Sequence, residues 1–186
     1  GEPRIDFKDN TKGSLLLEPS RSNLLTYSED FSQSNWVKSA STSILSDIIS
    51  PRGSLNAYKV EGFDGGAGVF QFVTVSTNTD YTFSFYARRS ELSNAYYRIY
   101  SNTNFTNIVN TTSYYNQINQ DEWTRVSVTF NSGTSTSIRT YINSITGGAI
   151  VWGAQLEQGS YATSYIPTSG QANGVTRVGD VCNNGA

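Results

Sequence analysis

Apolar residues recur at every second position through most of this chain, the period of a strand that buries one face. The clearest case is Asp80–Arg89, DYTFSFYARR, with Tyr81, Phe83, Phe85 and Ala87 on one face and Thr82, Ser84, Tyr86 and Arg88 on the other. Residues 122–130 turn Val126, Val128 and Phe130 inward. In residues 95–101, Tyr97 and Ile99 oppose Tyr96, Arg98 and Tyr100, and in 137–143, Ile138, Thr140 and Ile142 oppose Arg139, Tyr141 and Asn143. The run 69–75, VFQFVTV, is apolar on both parities and is predicted to be a central strand covered on both faces. In 149–157, Ile150, Trp152, Ala154 and Leu156 read as core, and Val151, Gly153, Gln155 and Glu157 as the opposite face.

Between these, shorter extended segments are expected at 23–27, 37–45 and 55–60, with a loop at 28–36 held by Phe31 and Trp36. Turns fall at 47–53 around Pro51, at 63–68 where Gly65 and Gly66 can take positive φ, at 131–135, and at Gly147 and Gly148. Residues 102–119 are rich in Asn and Thr and read as long loops joined by a short strand around Ile108 and Val109. About ten short strands without a 3.6-residue pattern predict an all-β fold, an antiparallel β-sandwich of jelly-roll type.

With 186 residues, one well-buried domain accounts for the chain. The expected layout is an N-terminal arm at 1–22, the sandwich at 23–168, and a C-terminal tail at 169–186 leading to a following domain. The chain opens on Gly1 rather than Met and reads as an excised fragment without a signal sequence. In the arm, Leu15, Leu16 and Leu17 cannot all face one side of a strand, so a partner surface is expected to cover them.

A net charge of -2 gives no basic surplus for phosphates, which argues against nucleic acid as a partner. No run has the apolar length of a membrane span, so no membrane insertion is expected. Cys182 is the one cysteine, which excludes a disulfide framework within one chain. The absence of histidine removes triads, zincin motifs and most imidazole chemistry. Glu61, Asp64, Glu91, Asp121 and Glu122 include no motif that singles out the carboxylate pair of a glycosidase, and the expectation is that the chain is not an enzyme. Asn104 and Asn110 head N-x-T sequons, which matter only in a glycosylating secretory pathway.

The most specific stretch is 149–169, AIVWGAQLEQGSYATSYIPTS, a strand followed by an extended segment in which Tyr161, Tyr165 and Pro167 are expected to lie over the sheet. WGAQLE followed by SYATSYIPT resembles the C-terminal signature of a domain frequent in bacteriophage tail and tail-fibre proteins. Residues 14–36, SLLLEPSRSNLLTYSEDFSQSNW, resemble the entry segment of that family, and 176–184, TRVGDVCNN, its exit. The family is similar to the jelly-roll carbohydrate-binding modules of families four, nine and twenty-two, which share the pattern carried here by Asn23, Leu24, Leu25, Phe31 and Trp36. The resemblance implies a galactose-binding-like sandwich in a virion tail or another extracellular setting. It also implies a structural Ca2+ near the N-terminal strand, where Glu29 and Asp30 are the oxygen ligands to consider. Against the ion stands the lack of a dense Asp/Asn loop, and no cofactor is required for binding.

The candidate ligand face consists of Tyr86, Arg88, Tyr96, Arg98, Tyr100, Arg139, Tyr141 and Gln155. A pyranose packs its C–H face on an aromatic ring, Arg and Gln supply hydrogen bonds to hydroxyls, and Arg also suits uronic or sulfated sugars. The same residues would equally dress a solvated or subunit-facing sheet. Two functions are therefore open: non-catalytic adhesion to a polysaccharide or cell-surface glycan, and a structural spacer or homo-oligomerisation domain packed on other domains or subunits of the tail protein. A groove with exposed rings would favour the first, a flat covered face the second.

Overall fold

A computed structural model describes residues 4–6, 14–39, 41–62, 68–90, 94–145, 149–171 and 174–180. In chain order the first strands are β1 (Arg4–Asp6), β2 (Ser14–Leu16), β3 (Arg21–Asn23), β4 (Val37–Lys38) and β5 (Thr42–Ile49). Next come β6 (Leu55–Gly62), β7 (Gly68–Thr74), β8 (Asp80–Arg89), β9 (Asn94–Ser101) and β10 (Thr106–Ser113). The last are β11 (Thr124–Asn131), β12 (Ser137–Ile145), β13 (Ala149–Gln158) and β14 (Val175–Arg177). Ten of them pair antiparallel in two five-stranded sheets, sheet I in the order β10-β9-β12-β7-β4 and sheet II in the order β11-β8-β13-β6-β5. The expected all-β sandwich is thus the fold.

The core lies between the sheets and follows the period-two pattern. Sheet II contributes Phe83, Phe85, Ala87, Val126 and Phe130, and sheet I contributes Val69, Val73, Ile99, Ile138 and Ile142, all buried in one cluster. Each of the Val, Ile and Phe side chains stabilises the fold by about 1.5–3 kcal/mol through apolar area removed from water. Phe31 and Trp36 close one end of the core, their ring centroids 4.5 Å apart, and Trp36 Nε1 donates to the Tyr27 carbonyl at 3.0 Å.

Three expectations about strands are corrected. Residues 37–45 are not one strand: β4 belongs to sheet I and β5 to sheet II, the chain crossing between layers near Ser41, where φ is +65°. The strand β7 is not central. It lies beside the two-residue β4, which pairs only with Val69 and Phe70, so Phe70 and Phe72 sit on the outer face of sheet I rather than under a second layer. In β13 the faces exchange midway. Val151 pairs with Ala87 and Trp152 with Tyr86, but the next pairs are Gln155 with Ser84 and Leu156 with Phe83. One extra residue is accommodated at Gly153, whose φ of +64° makes a β-bulge. Ala149, Val151, Ala154 and Leu156 therefore face the core, whereas Ile150 and Trp152 face outward.

The expected turn at 63–67, the turn at 146–148 and Cys182 lie outside the described residues, as do the side chains of Leu15 and Leu16. Leu17 is half exposed.

The segment after β13 is held by buried polar groups. Asn23 Nδ2 donates to the carbonyls of Ala154 and Ile166 at 3.0 and 2.9 Å, and its Oδ1 accepts from the amides of Leu25 and Leu156, both at 3.1 Å. Fully buried Glu157 accepts from the amide and hydroxyl of Thr163 at 2.9 and 2.6 Å and from Gln155 Nε2 at 2.7 Å. The entry and exit of the domain meet in a ribbon, β3 against β14 with Asn23 opposite Val175 and Arg21 opposite Arg177. Beyond it, the Asp180 amide donates to the Glu18 carbonyl and the Glu18 amide to Asp180 Oδ2, both at 2.9 Å, and Arg177 Nη2 lies 3.0 Å from the Glu18 carboxylate.

Candidate functional site

The outer face of sheet I carries three rows of positions that run across its strands. The first is Asn107–Tyr100–Arg139–Phe72, the second Arg98–Tyr141–Phe70–Val37, and the third Ser113–Tyr96–Asn143–Gly68. Arginine and tyrosine thus alternate along and between β9 and β12. Cross-strand neighbours on one face lie about 4.5–5.5 Å apart at Cβ, which brings each guanidinium over a ring. The Arg98 guanidinium sits 4.1 Å from the centroid of Tyr141, and that of Arg139 sits 4.8 Å from Phe72 and 5.3 Å from Tyr100. Arg139 Nη1 also donates to Tyr141 Oη at 3.1 Å.

The arginines cover the centre of the face and leave rings at its margins. Phe70 and Tyr141, with centroids 4.5 Å apart, are buried. Tyr96 and Tyr100 are partly exposed, and Phe72 is 56% exposed. Phe72 also borders an open pocket of about 540 Å³ lined by Leu24, Thr26, Asn35, Val37 and Gln71 among others, where β7 runs past the end of β4. Five of the eight expected residues, Tyr96, Arg98, Tyr100, Arg139 and Tyr141, are therefore together. Phe70 and Phe72 join them without having been picked out. Their signal was the second apolar parity of β7, which reads as burial unless the strand's place in the sheet is known.

Tyr86, Arg88 and Gln155 are not part of this face. They belong to sheet II, and outward positions on the two layers of a sandwich point in opposite directions. Tyr86 lies 5.6 Å from Trp152 and 6.2 Å from Tyr165 in a small outer cluster. Arg88 is 5.3 Å from Trp123 and donates to the Gln120 carbonyl at 3.4 Å. Gln155 is fully buried, its Oε1 accepting from the Ile166 amide at 2.7 Å and its Nε2 bound to Glu157. Its role is to hold the segment after β13.

Glu29 and Asp30 do not fit a cation site. Glu29 faces Arg52 at 3.4 Å and accepts from Asn56 Nδ2 at 3.0 Å. Asp30 accepts from the Ser32 amide and hydroxyl, from Gln33 Nε2 at 2.8 Å and from Tyr58 Oη at 2.7 Å. A guanidinium on one carboxylate and four donors on the other stand where a metal would need free oxygens. Burial pushes the Asp30 carboxyl up, but the hydrogen bonds from Ser32, Gln33 and Tyr58 outweigh it and hold the value at about 2. Burial and the Asp30 bond raise Tyr58 to about 12. A depressed acid contributes stability that is complete above its unfolded value, near 3.9, and is lost as pH falls through about 2. A raised tyrosine contributes stability that is complete below about 10 and lost as pH rises through about 12. Melting temperatures should accordingly fall less between about pH 4 and pH 2 in Asp30→Asn than in the parent protein. Parallel acid limbs would show that Asp30 is not so held.

The family described as Carbohydrate binding domain, CBM_4_9, matches residues 23–148. Among solved structures, the C-terminal family 22 carbohydrate binding module of Clostridium thermocellum Xyn10B is 13% identical, covers 76% of this chain and 97% of its own, and superimposes with a TM-score of 0.59. The CBM22-1 xylan-binding domain of Paenibacillus barcinonensis Xyn10C is 12% identical over 79% of this chain and 97% of its own, with a TM-score of 0.55. The enzymatically active domain of tailspike protein 4 from bacteriophage CBA120 is 13% identical over 74% of this chain and 21% of its own, with a TM-score of 0.50. At these identities the likeness is one of fold. No curated protein matches the chain.

Proposed function

Because the chain belongs to the Carbohydrate binding domain family, we propose that it is a non-catalytic adhesion module that holds a polysaccharide or cell-surface glycan on the outer face of sheet I. The carrying observation is the pairing of accessible rings, Phe72, Tyr96 and Tyr100, with guanidinium donors on the same strands. Rings take the C–H faces of sugars, and the arginines donate to oxygens between them. The setting in a phage tail-fibre-like protein, on a virion or otherwise extracellular, rests on the WGAQLE and SYATSYIPT motifs.

Affinity electrophoresis against a panel of bacterial surface polysaccharides and plant xylans tests the reading. Retention by at least one polysaccharide is expected, and Phe72→Ala and Tyr100→Ala should each weaken it about tenfold, in line with a lost stacking contact of about 1 kcal/mol or more. Unchanged retention in both variants, with unchanged melting, would remove sheet I as the binding face.

A second role is favoured by one separate observation. Leu45, Ile49 and Leu55 on β5 and β6, at the edge of sheet II, are 51%, 58% and 64% exposed. Packing against a neighbouring subunit would use this edge and leave sheet I free for glycan. Sedimentation of the parent and of Ile49→Asp compares the two states; a monomer in both removes the subunit role.

A further inference from the structure

The strands of sheet I contain Lys38, Arg98 and Arg139 and no Asp or Glu, although the whole chain carries a net charge of -2. The strands of sheet II mix Asp47, Glu61, Asp80 and Glu157 with Lys59, Arg88, Arg89 and Arg125. The positive balance of the candidate face is therefore a property of one layer.

The arginines of sheet I also differ from the others in what they touch. Arg21, Arg52 and Arg177 each face a carboxylate. Arg88, Arg89 and Arg125 donate to backbone carbonyls at 3.4, 2.8 and 2.6 Å. Among the described residues Arg98 has no hydrogen bond and no ion pair, only the rings of Tyr100 and Tyr141 beneath it. Arg139 has a single hydrogen bond, to Tyr141 Oη. The Nε of each is enclosed without a partner, a feature shared with Arg21, Arg88, Arg125 and Arg177, so the difference lies in the terminal nitrogens. Partly desolvated guanidinium groups held over rings, with few acceptors of their own, are positioned for an acceptor supplied from outside.

We infer that the ligand of this face is an acidic glycan, whose uronate carboxylate or sulfate ester is taken by Arg98 and Arg139 while its rings stack on Phe72, Tyr96 and Tyr100; the inference rests on the sugar-binding role proposed above. The two arginines stand on adjacent strands and diagonal to one another, since Arg139 is opposite Tyr100 and Arg98 opposite Tyr141. Diagonal neighbours are about 7–8 Å apart, and somewhat less at Cβ, so both flexible side chains reach an anionic group lying between them. The planar fork of each matches the paired oxygens of a carboxylate or sulfate, and a neutral hydroxyl would leave the positive charge uncompensated.

The test compares matched polymers by affinity electrophoresis and calorimetry: polygalacturonate and a sulfated galactan against neutral galactan, and glucuronoxylan against unsubstituted xylan. An acidic member is expected to bind more tightly than its neutral counterpart, to weaken as sodium chloride is added, and to lose about tenfold in affinity in Arg98→Gln and in Arg139→Gln at unchanged melting temperature. Binding by the polyuronates alone assigns the anion as a carboxylate, and binding by the sulfated galactan alone as a sulfate. Equal affinity for acidic and neutral partners, or Gln variants that bind as the parent does, overturns the anionic specificity and leaves the glycan reading standing. No retention of any polymer overturns both.

Discussion

Trp152→Ala is expected to cost the fold about 3–5 kcal/mol, the range for removing a buried large aromatic, while leaving glycan retention by the folded protein unchanged. Trp152 is 2% exposed, yet it lies on the outer face of sheet II rather than between the sheets. Its ring is 4.8 Å from Tyr165 and 5.6 Å from Tyr86, with Arg52 at 5.4 Å above. Tyr165 belongs to the segment after β13 and covers the indole, its hydroxyl sharing a hydrogen bond with Ser28 Oγ at 2.6 Å. Urea unfolding measures the loss. A double-mutant cycle should couple Trp152→Ala with Tyr165→Ala, which removes the ring contact, and leave Trp152→Ala additive with Ile99→Val, which sits in the core on sheet I. A folded Trp152→Ala protein that no longer retained glycan would place binding on sheet II instead.

Asn23→Ala should destabilise by about 3 kcal/mol, because it strands several buried backbone groups at about 1–3 kcal/mol each, with partial relaxation. The Asn23 amide is used fully, two donors and one oxygen accepting twice, and it joins the first segment of the domain to β13 and to the segment beyond. Asn23→Asp keeps the acceptor but sets a carboxylate against the carbonyls of Ala154 and Ile166, and should do no better. Chemical denaturation of both proteins checks this. A loss below about 1 kcal/mol would mean that neighbouring groups or water replace those bonds.

Much of the sandwich was legible because strand side chains alternate strictly. The boundaries of β8 were visible from DYTFSFYARR alone, and its inward set Tyr81, Phe83, Phe85 and Ala87 is buried, although Thr82 and Ser84 on the other face are buried as well, bonded to the Gly159 carbonyl and the Arg125 guanidinium. Parity, however, separates inward from outward and carries no information on which layer a strand joins. Tyr86 and Arg88 thus shared a pattern with Tyr96 and Arg98 while pointing to the opposite side of the molecule. A single bulge has the same power within one strand: Gly153 moved Ile150 and Trp152 off the face of Leu156, and a glycine inside a strand pattern was the one available sign. The string from Gln155 to Thr168 was recognisable as a unit, but its purpose was not, since Asn23, Ser28 and Glu18 meet it only through the fold. On the candidate face, the five grouped tyrosines and arginines could be read from β9 and β12, whereas Phe72 required the short length of β4.

The ribbon of β3 and β14 sets how the domain meets mechanical load. Its strands are antiparallel and its open end is the one at Glu18 and Asp180. Tension drawn across residues 18 and 180 pulls on one pair at a time, first the Glu18–Asp180 and Glu18–Arg177 contacts, then Arg21 and Arg177. Peeling of this kind meets little resistance at each step, and it stops at Asn23, whose four hydrogen bonds are anchored in the sandwich. The ten residues 18–22 and 176–180 then pay out roughly 35 Å of chain before any strand of the two sheets is stretched. The ribbon is thus a length of chain that opens under load between the entry and the exit of the domain, so a sharp pull is spent on lengthening before it strains the two sheets.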